Sequence, residues 1–137
     1  MYQGGCLCGA VRYEIDGPIH HIIFCHCSQC RKAQGSAFAT NGIVKEQDFR
    51  LVAGEQTLTA YEWPPGKTRH FCSVCGSPII SKSDARPDQV RVRIGTIESD
   101  IAERPMAHIF VTSKANWEEL DDDLPRYESH EPGRDAL

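Results

Sequence analysis

The seven cysteines, and the way they are grouped, constrain this chain more than any other feature. Cys6 and Cys8 form C-x-C; Cys25, Cys27 and Cys30 form C-x-C-x-x-C; Cys72 and Cys75 form C-x-x-C. Seven thiols in 137 residues is about 5%, below the ~8–10% that marks a disulfide-framed scaffold. The count is odd as well. The opening Met1-Tyr2-Gln3-Gly4-Gly5-Cys6 has neither the basic stretch nor the apolar core of an export signal, so the expected location is cytoplasmic, where thiols stay reduced. Grouped cysteines in that setting point to metal ligation or catalysis.

The rest of the chain reads as short strands. Val11 to Ile15 alternates apolar and polar residues and then meets Asp16-Gly17-Pro18, a turn signal. His20 to Cys25, Phe38 to Val44, Phe49 to Val52, Thr57 to Trp63, Gln89 to Ile94 and His108 to Thr112 are rich in β-branched and aromatic residues. Thr68 to Phe71 and Pro78 to Ser81 flank Cys72-Ser73-Val74-Cys75-Gly76 as a hairpin around a metal knuckle. Ser28 to Gln34 allows one short helical segment, capped by Ser28 and ended by Gly35. The fold class expected is all-β, as one domain over residues 1–128 with a frayed tail over 129–137. The longest apolar run is Ile22-Ile23-Phe24-Cys25, far short of the ~20 residues of a membrane-spanning helix. A net charge of −4 without a basic stripe argues against nucleic acid as a partner.

Zinc is the metal that such thiols suit: redox-inert, borderline-soft and satisfied by tetrahedral thiolate at about 2.3 Å. A C-x-x-C knuckle supplies half a tetrahedron, and a C-x-C pair can supply the rest. Cys6, Cys8, Cys72 and Cys75 would then close one site, leaving Cys25, Cys27 and Cys30 as three ligands with an open position, the arrangement of a catalytic zinc. Two other readings stay open from spacing alone. Cys6 and Cys8 could complete the middle group, or His26, His21, His70 or His108 could close it. His26, between Cys25 and Cys27, points away from them in an extended backbone. His108 opens an apolar strand and reads as a core or rim histidine, or as a substrate contact. Arg31 and Lys32 follow Cys30 directly and are candidates to hold a substrate carboxylate. The run Asp121-Asp122-Asp123 reads as a solvated turn.

Gly5-Cys6-x-Cys8-Gly9-Ala10-Val11-x-Tyr13, Cys25-His26-Cys27-x-x-Cys30-Arg31 and Phe71-Cys72-x-x-Cys75-Gly76 together resemble the motifs of the GFA (glutathione-dependent formaldehyde-activating) family, the CENP-V/GFA domain. Val92 to Ile97, Pro105 to Ile109, Ser113-Lys114-Ala115-x-Trp117 and Leu124-Pro125-x-Tyr127 follow in the family's order. The resemblance implies a β-tent of small antiparallel sheets stapled by zinc knuckles, with two zincs per chain. Cys6, Cys8, Cys72 and Cys75 would bind a structural zinc, and Cys25, Cys27 and Cys30 a catalytic one. The activity implied is that of a carbon–sulfur lyase joining glutathione, or a similar small thiol, to formaldehyde. Fold does not by itself fix function. The rival reading is a non-catalytic zinc module that binds a thiol, peptide or protein partner.

Overall fold

The computed structural model describes residues 1–137. Ten strands run in the order β1 (Tyr2–Gly5), β2 (Arg12–Ile15), β3 (His20–Cys25), β4 (Ala39–Lys45), β5 (Phe49–Ala53), β6 (Leu58–Glu62), β7 (Lys67–Cys72), β8 (Pro78–Ser83), β9 (Gln89–Arg93) and β10 (Ala107–Ile109). A single short helix, α1 (Ser28–Gln34), lies between β3 and β4. The chain is thus mostly β, as its alternating pattern predicts. No helix is long and apolar enough to cross a membrane.

The strands form a three-stranded sheet, β1-β2-β5, and a seven-stranded sheet, β10-β3-β4-β9-β8-β7-β6. Pairing is antiparallel with one departure from expectation: β10 lies parallel to β3, Ile109 opposite Cys25. After β9 the chain leaves the large sheet and bridges to β1 at Ile97 opposite Gly4. It therefore returns to the far edge, beside β3, running the same way as that strand. The strand expected to reach Thr112 stops at Ile109, because Phe110 takes a left-handed backbone conformation (φ 54°) and residues 111–113 make a 3₁₀ turn.

Register explains how the two faces of the large sheet divide the work. Residues directly opposite one another share a face, as do alternate residues along a strand. One face sends Ile80, Val92, Val90 and Val44 against Tyr13 and Ile15 of the small sheet and Val11 just before it, giving the main core of twelve buried residues, which includes Cys6 and Cys72. The other face carries Ile23 and Cys25 of β3 and Ala39 of β4. With Cys30 of α1 and with Ala107 and Ile109 of β10, they form a smaller cluster.

Two side chains within residues 129–137 are buried. Glu131 and Arg134 are only 3% and 5% exposed, joined by a guanidinium–carboxylate pair at 2.8 Å, and Glu131 also meets His21 Nδ1 at 2.9 Å. The physical reason is this charged pairing, which no apolar pattern in the tail announces.

Candidate metal centres and the thiol-lined cavity

The first cysteine group is built from two turns. Cys6-Leu7-Cys8-Gly9 follows β1, and Cys72-Ser73-Val74-Cys75-Gly76 joins β7 to β8. Each turn ends on a glycine with positive φ, 82° at Gly9 and 80° at Gly76, a conformation costly for residues with a Cβ. The four sulfurs all lie within 4.8 Å of one another. Cys6 and Cys8 sulfurs are 3.5 Å apart and those of Cys8 and Cys72 3.7 Å. Those spacings are far too long for a disulfide at about 2.05 Å. They match the ~3.8 Å edge of a thiolate tetrahedron whose sulfurs sit about 2.3 Å from a central ion.

Backbone N–H groups feed this cluster: Val11 donates to Cys6 Sγ at 3.2 Å and Cys75 to Cys72 Sγ at 3.4 Å. Ser77 stitches the turns together. Its Oγ accepts from the Leu7 N–H at 2.9 Å and lies 3.2 Å from Cys75 Sγ. The Ser77 hydroxyl and backbone N–H, with the Cys8 N–H, lower the Cys75 thiol to about 5. Nothing in the spacing of the cysteines signalled Ser77.

The second group is local. Cys25 ends β3, Cys27 caps α1 and Cys30 lies one turn into that helix. Cys27, rather than the expected Ser28, is the cap: its sulfur accepts the Cys30 N–H at 3.3 Å. Gly35 ends the helix in a left-handed conformation. The three sulfurs lie within 4.8 Å of one another, with Cys25 and Cys27 3.5 Å apart. Hydrogen bonds from the Cys25 and Cys30 thiols and from the Cys30 N–H push Cys27 down to about 2. The same contact with Cys27 drives Cys25 strongly up. Three sulfurs so placed can all be thiolates only around a cation, so the donor set fits a soft divalent metal.

His26 does point away from the sulfurs. It is fully buried, and its Nε2 lies 2.8 Å from His108 Nδ1, while His108 Nε2 lies 2.8 Å from Asp122 Oδ2. The hydrogen bond from His108 lowers the Asp122 carboxyl. As a carboxylate it accepts the His108 Nε2–H, and the His108 Nδ1–His26 Nε2 hydrogen bond continues the chain inward. His108 is thus a buried link in a chain that fixes the Cys25–Cys27 turn, and Asp122 is an anchor rather than an idle turn residue.

Cys25, Cys27 and Cys30 border a cavity of about 260 Å³. Ile23, Ile109 and Phe110 give it apolar walls, and Lys67, Arg91 and Arg134 give it three cations. Phe110 does so from its left-handed backbone position, the kind of constrained residue often found at functional sites. Lys67 and Arg91 join no ion pair in the molecule. Burial lowers both, Arg91 to about 10 with help from Arg134 and Arg86. Arg31, Lys32 and His108 are not on this wall. Lys32 instead borders a neighbouring cleft with Trp63, Tyr61 and Arg69, which shares Gln29 with the cavity.

Comparisons of sequence with known proteins point to one family. The family model described as glutathione-dependent formaldehyde-activating enzyme matches residues 1–113. A Halomonas elongata protein named "Putative glutathione-dependent formaldehyde-activating enzyme" is 31% identical over 130 residues, spanning 88% of this chain and 82% of that protein. A Colletotrichum graminicola protein of the same name is 29% identical over 80 residues, spanning 55% of this chain and 42% of that protein. Among solved structures, that of a Rhodobacter sphaeroides protein superimposes with a TM-score of 0.57 at 27% identity, covering 75% of this chain and 97% of that one.

Proposed function

The chain belongs to the glutathione-dependent formaldehyde-activating family, and from that premise we propose that it is a zinc-dependent carbon–sulfur lyase. Its reaction would add a small anionic thiol, glutathione or one like it, to formaldehyde or another small carbonyl, or run that addition backwards. The observation that carries this reading is the cavity itself, where three converging cysteine sulfurs face two cations that have no carboxylate partner. Cys6, Cys8, Cys72 and Cys75 would hold a structural zinc, and Cys25, Cys27 and Cys30 a second one with an open position. Bound there, zinc would supply Lewis acidity that favours the substrate's thiolate over its thiol at neutral pH.

The chain's own residues do the rest. Lys67 and Arg91 attract and orient the anionic part of the substrate, the role first expected of Arg31 and Lys32. The Cys30 N–H and the N-terminus of α1 hold negative charge on Cys27. Ile23, Ile109 and Phe110 form the apolar side of the cavity beside the sulfurs. In the addition, a lone pair on the thiolate sulfur forms the new C–S bond. The carbonyl π-pair moves to oxygen, and that oxygen takes a proton from water. The reverse step removes the proton, re-forms the carbonyl and breaks the C–S bond. Thiols add to formaldehyde unaided, so the test is turnover above that background with glutathione and formaldehyde. Cys27→Ser is expected to lower the net rate by about 100-fold or more, since losing a direct ligand should cost no less than the ~10–100-fold typical of losing an outer partner. An unchanged net rate in Cys27→Ser overturns the reading.

A further inference from the structure

The second face of the large sheet carries four cations in a fixed register. Arg91 and Arg93 alternate on β9, Arg91 stands opposite Ser81 of β8, and Ser81 stands opposite Arg69 of β7, which alternates with Lys67. None of the four enters any of the molecule's seven ion pairs. Lys67 and Arg91 border the thiol-lined cavity, where water or a ligand can meet them. Arg69 donates to the Trp63 carbonyl at 2.7 Å and to Gln29 Oε1 at 3.1 Å.

Arg93 is the exception. It is 4% exposed, and its Nη1 donates to Asn41 Oδ1 at 2.8 Å and Ser81 Oγ at 3.3 Å, both neutral partners. Its Nε has no partner at all. A guanidinium cannot shed its charge in a protein, and a buried charge with nothing opposite it carries a heavy desolvation penalty. The compensating charge must therefore come from nearby. Arg93 stands opposite Asn41, Asn41 opposite Ile23, and Ile23 alternates with Cys25 on the same face. Burial outweighs every charge and disfavours the guanidinium, Arg69 adds to that, and the charges that favour it are Cys30 first, then Cys25 and Cys27.

We propose that Arg93 is the buried counter-cation of the three-cysteine cluster, aimed by Asn41 and Ser81, and that its charge sets how tightly that cluster holds its metal. The inference rests on reading Cys25, Cys27 and Cys30 as metal ligands. Three thiolates around a divalent ion leave one net negative charge, which the buried guanidinium would offset from behind the cavity wall while Lys67 faces the sulfurs from the cavity itself. The four-cysteine cluster leaves two, but Cys8 is exposed there, so water does the compensating. Arg93 does not line the cavity, which makes it a positioning residue rather than a catalytic one.

The test uses the full chain, reduced and zinc-loaded, under competition with a graded chelator. Native mass spectrometry counts the metals, and alkylation mapping identifies which cysteines are released. Arg93→Gln is expected to weaken retention at Cys25, Cys27 and Cys30 by about 10–100-fold, the usual effect of losing an outer partner of a metal site. Cys6, Cys8, Cys72 and Cys75 act as the control within the same molecule and should be unaffected. Unchanged retention at the three-cysteine cluster, or equal weakening of both clusters, overturns the proposal; the second outcome would mark Arg93 as merely structural. Should Arg93→Gln fail to fold, Arg93→Lys carries the test, since it keeps the charge and should hold metal within a few-fold of wild type. Loss of metal from a folded Arg93→Lys overturns the proposal too. A wild-type chain that holds no metal at Cys25, Cys27 and Cys30 would instead defeat the metal-site reading itself, and the role of Arg93 with it.

Discussion

The two cysteine clusters use the same ligand chemistry and sit in opposite situations. In the first, the sulfurs come from turns some 64 residues apart in sequence, and two of them, Cys6 and Cys72, belong to the main core. In the second, three sulfurs fall within one strand end and the first turn of α1, on the other face of the sheet, beside a cavity. Closing a long loop removes much freedom from the unfolded chain, whereas closing a short one removes little. On the proposed reading, a metal at the first cluster would contribute more to folding, and one at the second would leave a side free for a ligand.

The sharpest way to break that contrast is to remove one ligand from each cluster and compare thermal unfolding. Structural zinc contributes about 10–16 kcal/mol of apparent binding energy, against a net stability of about 5–15 kcal/mol for a typical domain. Cys72→Ser, which also takes a fully buried sulfur from the core, is expected to abolish the cooperative transition at 25 °C. Cys27→Ser keeps a side-chain oxygen at the helix cap and is expected to lower Tm by only a few degrees. Circular dichroism melts of the two variants decide the matter. Equal losses would show that the clusters share one structural role.

How much of this was readable in the chain beforehand follows from sequence distance. The cysteine groups were legible because a knuckle's sulfurs must be close neighbours along the chain. The alternation of β2 and β9 was legible for the same local reason. The cations of the cavity were not. Lys67 and Arg91 meet there only because β8 spaces β7 from β9 in a register that no short window reveals. Arg31 and Lys32 looked better placed because they follow Cys30. Yet α1 turns as it leaves Cys30, and neither residue reaches the cavity wall. Asp122 was lost for a related reason, its partner His108 lying 14 positions away.

That difference in placement yields the next test. If Lys67 and Arg91 hold the substrate's anionic groups, Lys67→Gln or Arg91→Gln should raise KM for an anionic thiol about tenfold, as expected for one charge-assisted contact of about 1.5 kcal/mol. For an uncharged thiol KM should barely change. Lys32→Gln should do much less, since Lys32 borders only the neighbouring cleft. A larger effect at Lys32 than at Lys67 would move the substrate out of the cavity and blur the contrast between an open cluster and a closed one.

The smallest effect concerns the tail, which contributes His130 and Arg134 to the wall of the open cluster's cavity and leaves the four-cysteine cluster alone. Burial pushes the Glu131 carboxyl up, but Arg134 and then His21 pull it down further, and its net value lies below the ordinary carboxylate range. A carboxyl depressed on folding stabilises the native state above its unfolded pKa, and that contribution fades as pH falls through the folded value. The Tm difference between wild type and Glu131→Gln should therefore still be present at pH 5, above the unfolded pKa of about 4.3. It should then shrink as the pH falls further, toward zero below the folded pKa. A difference that ignores pH would mean that Glu131 holds the tail by shape and hydrogen bonding alone. The cavity wall would then keep its form in acid, and the two clusters would differ in ligand count but not in their sensitivity to pH.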